Sequence, residues 1–140
     1  MNKFIIIDSV ARSGTTLLSA ILNSQKGTTT VNGHISGSEF LLYSCNDYWK
    51  QKQCLKKNKM EYLKNIVIKE INNDNGRLLK GQSKEYWLRL INNVKTEDDF
   101  VSKYYEPILK SYDSRILGLR YNQSIWYFDK WVSKSKNNYW

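Results

Sequence analysis

FIIIDSVARSGTTLL, residues 4–18, passes from four apolar residues through a short polar turn into the apolar start of a helix. The run 4–8, with three isoleucines, fits a strand buried on both faces of a parallel sheet. Leu17, Leu18, Ile21 and Leu22 repeat with helical spacing, which predicts a helix from Gly14 or Thr15 to Asn23. A glycine-containing turn at such a junction aims unpaired backbone N–H groups in one direction, and the helix dipole adds positive potential there. Ser13, Gly14, Thr15 and Thr16 would supply the donors, and Arg12 a permanent forked cation suited to phosphate or sulfate oxygens. The competing reading is an ordinary Ser or Thr cap on an amphipathic helix, with Arg12 solvated. The Walker pattern itself fails, because no lysine stands between Gly14 and the threonines and no glycine precedes the loop at the required spacing. A phosphate site is expected; ATP hydrolysis is not.

Further along, residues 25–38 are rich in Gly, Thr and Ser without a period and read as an unusually long loop. Residues 39–57 read as helix, with Phe40, Leu41, Tyr43 and Tyr48 as core candidates. In 60–71, Leu63, Ile66, Val67 and Ile71 form one apolar stripe, ended by the turn residues 72–76. A short helix follows over 86–94. Thr96 and Asp99 have capping-box spacing for the next one, which Pro107 should kink or restart. RILGLR, 115–120, is a second strand ending in a cation, and 125–132 reads as helical. The order predicts an α/β fold: a P-loop-like parallel sheet with flanking helices, helix-rich, in a single domain over 1–140. Two strands do not make a stable sheet, so the sheet should be incomplete, with strands missed or supplied by self-association or a partner.

The chain has 140 residues, 41% of them hydrophobic and 25% charged, which excludes a disordered polymer and fits one modest core. No apolar run approaches the roughly 20 residues of a bilayer span, and the first apolar run is too short for a signal peptide, so a cytoplasmic location is expected. The net charge of +9 favours anionic partners. The lysines do not line one helix face and no nucleic-acid motif is present, so a nucleic-acid partner is not expected. Cys45 and Cys54 read as reduced, structural thiols, since on one helix they would face nearly opposite ways. No metal site is expected, and NQS at 122–124 carries little meaning as a glycosylation acceptor without a secretory signal.

FIIIDSVARSGTTLLSAILNS resembles the opening of the sulfotransferases that use 3′-phosphoadenosine 5′-phosphosulfate (PAPS), whose first strand leads into an R/K-S-G-T-T loop and an L-L-x-x-[IL]-L-N-S helix. HISGSEFLLY is similar to the G-E-x-x-x-[FY] segment that follows, and residues 98–131 resemble the helix, strand and helix before the second cofactor motif. The resemblance implies PAPS as co-substrate and sulfuryl transfer to an acceptor hydroxyl or amine, without a metal. It gives Arg12, Ser13, Gly14, Thr15 and Thr16 the phosphosulfate and makes Arg12 catalytic through charge alone, since arginine is not deprotonated. It implies Glu39 as the base, with His34 as the alternative. Arg120, at a strand end where α/β sites gather, is either a ligand cation or an ordinary surface one. Trp126, Tyr127 and Trp131 read as core. The loop 23–39 is longer than usual, and the element that grips the 3′-phosphate is expected beyond this chain. Only a domain lacking its C-terminal half, with poor discrimination between 3′,5′-ADP and 5′-AMP, is then expected. The other classes are a different P-loop-like enzyme, such as a small kinase, and a non-catalytic basic binding module. Acceptor specificity would lie in 39–94.

Overall fold

The computed structural model describes residues 3–7, 14–43, 46–51, 58–74 and 79–120. Arg12, Ser13, Cys45, Cys54 and the helix expected over 125–132 lie outside the described residues. The protein is an α/β fold in which helices dominate and a small parallel sheet carries one end of the core.

β1 (Lys3–Ile7) leads to α1 (Thr15–Asn23), and the chain returns as β2 (Thr28–Asn32). Two short 3₁₀ turns, Gly33–Ser36 and Ser38–Leu42, precede α2 (Asn46–Gln51). α3 (Lys59–Asn73) and α4 (Lys84–Asn93) follow, each started by a side-chain cap: Asn58 accepts from the Glu61 N–H and Ser83 from the Tyr86 N–H. A π-helical stretch, Phe100–Tyr105, runs into α5 (Glu106–Ser111) and then β3 (Ile116–Arg120). Pro107 lies in the first turn of α5, where its missing N–H is tolerated, so it restarts the helix. Asp99 completes half of the expected box by accepting from the backbone N–H of Thr96 at 3.0 Å and of Lys95 at 2.7 Å.

The strand order is β1-β3-β2, all parallel. β2 corrects the reading of 25–38 as a loop: TTTVN lacks the apolar signature of a buried strand, yet its threonines are β-branched and suit a pleated surface. The register places Ile5, Gly118 and Thr30 in one row and Ile7, Arg120 and Asn32 in the next. These rows share the face covered by α1, where the Thr30 hydroxyl lies 3.5 Å from the Ser19 carbonyl. The opposite face, with Val31, Leu117 and Leu119, packs on a core that includes Ile35, Leu63, Val67, Ile71, Trp87, Ile91 and Tyr104. The apolar stripe of 60–71 is therefore core as expected. The helix expected over 39–57 is instead a 3₁₀ turn and the short α2 among the described residues, with Phe40 and Tyr48 buried.

α1 is turned against expectation. It presents Thr15 and Ser19 to the sheet, while Leu17 (66% exposed), Leu18 and Ile21 point outward. Around Gly118 of β3, the nearest atoms a Cβ would meet belong to Thr30 of β2 and Ile7 of β1.

Candidate functional site

The carboxyl ends of the parallel strands form the edge at which Arg120 of β3 meets Thr16 of α1. Gly14 is the N-cap of α1 in the left-handed conformation, φ 85°, a geometry that glycine adopts without strain. Among the described residues no side chain caps this helix, and its first turn contains no acidic residue. The Gly14 carbonyl accepts the Leu18 N–H at 3.1 Å, so the N–H groups of Thr15, Thr16 and Leu17 precede the first intrahelical bond. The N-cap position is Gly14 rather than Ser or Thr, and the N-terminal end of the helix carries the positive potential that attracts an acceptor.

Arg120, last residue of the central strand, donates from Nη2 to Thr16 Oγ1 at 2.9 Å. A cation distant in sequence thus reaches the first turn of α1. Beside it in register stands Asn32, whose buried Oδ1 has no hydrogen-bond partner among the described residues. Asn32 was not foreseen, because it fell within a stretch read as loop.

His34 and Glu39 are brought together. The first 3₁₀ turn follows β2 directly and is bracketed by left-handed Gly33 and Gly37, both at φ 64°. The segment from Ile35 to Phe40 is buried throughout. Two buried tyrosines from the π-helical stretch pin it: the Tyr104 hydroxyl donates to the Ile35 carbonyl at 2.6 Å and that of Tyr105 to the Gly37 carbonyl at 2.9 Å. Burial raises the pKa of both phenols, so they act as neutral donors. A Cβ on Gly37 would lie 3.2 Å from the Tyr104 ring, which explains glycine there. Within the long loop expected over 25–38, His34 therefore stands on a defined 3₁₀ turn.

Glu39 is only 4% exposed. Its Oε1 accepts from the Tyr48 hydroxyl at 2.9 Å, and its Oε2 lies 3.4 Å from His34 Nδ1. At that length the second contact is a charge contact once the ring is protonated, rather than a strong hydrogen bond. The imidazole side chain is 36% exposed although Nδ1 itself is buried. A buried carboxylate against a half-exposed imidazole can hold and stabilise a proton taken from outside.

Among the described residues there is no cluster of His, Cys, Asp and Glu able to hold a metal ion, and no helix is long and apolar enough to cross a membrane. No protein-family model, curated protein or solved structure matches the chain.

Proposed function

We propose that the protein binds the phosphosulfate of PAPS at the first turn of α1 and transfers its sulfuryl group to an acceptor hydroxyl or amine. The observation that carries this reading is the α1 N-terminus headed by left-handed Gly14, with the Arg120 guanidinium on Thr16. Such a turn suits a tetrahedral anion, and a P-loop-like arrangement, with this turn after β1 and beside the end of β3, is supported by the strand order. Sulfuryl transfer is in-line displacement, helped by positioning and by charge stabilisation where negative charge builds. As the bond from sulfur to the 5′-phosphate oxygen breaks, charge grows on that oxygen. The N–H groups at Thr15 and Thr16, with Arg120 and Arg12, would meet it. His34 and Glu39 lie on the two successive turns that follow β2, the strand beside β3, where an acceptor would lose its proton.

A small kinase would use the same edge, but the sequence lacks the Walker lysine. Calorimetric titration with 3′,5′-ADP in magnesium-free buffer tests the proposal. Binding should persist, and Arg12→Ala, Thr15→Ala and Arg120→Ala should each weaken it by at least about 1.5 kcal/mol, the scale of a hydrogen bond to a charged group. Unchanged affinity in all three variants would overturn the site. Preference for ATP that depends on magnesium would favour the kinase.

A further inference from the structure

We propose that the cleft between α3 and the end of α4 binds a small monocarboxylate with an apolar body, at a site that shares no residue with the strand edge described above. α3 and α4 pack against each other, and the first half of α3 lies beside the last residues of α4. Between them opens a cleft of about 300 Å³, at the lower end of the range for ligand sites. Its floor is apolar: Met60 and Val94 are buried members of the core, and Ile68 is half-buried against it. Its rim is polar and carries Lys64, Lys95, Asn65 and Asn92.

The cationic rim has its origin in α4. The Lys64 ammonium donates to the carbonyls of Asn92 at 3.3 Å and Val94 at 3.0 Å, where the last turn of a helix leaves acceptors without intrahelical partners. An ammonium has three donors, so one remains for a ligand. Burial first, and then the charge of Lys95 beside it, hold Lys64 below the usual lysine pKa. Neither ammonium is in an ion pair among the described residues. Two like charges are therefore held near one another, and an anion between them would relieve the repulsion.

Glu61 lines the same cleft, and its Oε2 accepts from Asn58 Nδ2 at 2.8 Å as part of the α3 cap. Two ammonium groups and one carboxylate leave a single positive charge in excess, which suits a monoanion, and Glu61 disfavours a dianion such as phosphate. The exposed amides of Asn65 and Asn92 offer donors to the second oxygen of a carboxylate. Side-chain donors around an apolar floor fit a carboxylate whose hydrocarbon part rests on Met60, Ile68 and Val94.

The probe is 3-phenylpropionate, titrated into the full chain and followed by the nitrogen-15 NMR signals of the backbone amides. Shifts should gather at Lys64, Asn65, Ile68, Asn92 and Lys95, with a Kd of about 1–5 mM, the scale for a ligand of this size. 3-Phenylpropionamide, of the same shape without the charge, should bind about tenfold more weakly. Acetate, which lacks the ring, and inorganic phosphate should each be weaker by about tenfold or more. Lys95→Gln should weaken 3-phenylpropionate about threefold, as expected for an exposed charge, and Lys64→Met about tenfold. Should Lys64→Met not fold, Lys95→Gln decides alone. Equal affinity for the amide, unchanged affinity in Lys95→Gln, or shifts gathered at Gly14, Thr15 and Arg120 instead of the cleft overturns the site. Acetate binding as tightly as 3-phenylpropionate overturns the apolar body, and phosphate doing so overturns the monoanion. None of these results depends on 3′,5′-ADP binding, so the transferase reading stands or falls separately.

Discussion

Gly118 sits at the middle of the central strand, in the row between Ile5 and Thr30. Replacing it with alanine places a Cβ 2.6 Å from Thr30 Cγ2 and 3.5 Å from Ile7 Cδ1. Ordinary contact begins near 3.4 Å, so the overlap with Thr30 is 3.4 − 2.6 = 0.8 Å. β3 cannot slide away, since it is paired along its length on both sides. Thr30 is β-branched, and turning it would carry its hydroxyl off the Ser19 carbonyl. Overpacking of this kind costs about 1–3 kcal/mol, offset by roughly 0.5–1 kcal/mol from the lower unfolded-state entropy of alanine. A net loss of about 1–2 kcal/mol is expected for Gly118→Ala. Urea unfolding followed by circular dichroism and tryptophan fluorescence would read it as a lower midpoint with an unchanged slope. The decisive comparison is a double-mutant cycle with Thr30→Ser, which deletes the clashing methyl and by itself costs about 0.5–1.5 kcal/mol. In that background Gly118→Ala should cost little. Additivity within about 0.5 kcal/mol would refute the steric reasoning.

Three other outcomes are expected. Asp99, held by the Lys103 ammonium and the Lys95 and Thr96 N–H groups, has its pKa drawn down from 3.8 to about 2. Its stabilisation is therefore complete above pH about 4 and lost as pH falls through about 2, and Asp99→Asn should flatten that part of an acid-unfolding curve. Tyr104→Phe leaves the buried Ile35 carbonyl without its 2.6 Å partner and should cost about 1–3 kcal/mol in thermal or urea unfolding. Gly14→Ala should lower 3′,5′-ADP affinity and stability together by about 1–2 kcal/mol, because φ 85° is left-handed; equal affinity in both proteins would show that the turn does not hold the nucleotide.

Local pattern determined much of the secondary structure. The isoleucine run marked β1, the Gly14 junction marked the start of α1, and the stripe Leu63, Val67 and Ile71 marked both α3 and its buried face. These features depend on residues within a turn or two of one another, which is what a period of 2 or 3.6 records. Thr28–Asn32 escaped because a strand of threonines is defined less by its own apolarity than by the backbone of β3 on one side and the cover of α1. The outward turn of Leu17, Leu18 and Ile21 escaped because a helix's apolar stripe does not say which face meets the sheet. The site was legible only in pieces. Gly14, Thr15, Thr16, His34 and Glu39 could be named from sequence, whereas the Arg120–Thr16 bond, the Tyr48–Glu39–His34 chain and the two tyrosines beneath it are tertiary. Arg120 meets Thr16 across 104 positions, a contact decided by strand order and register. No local period encodes it, because the chain between the two partners must fold before either can find the other.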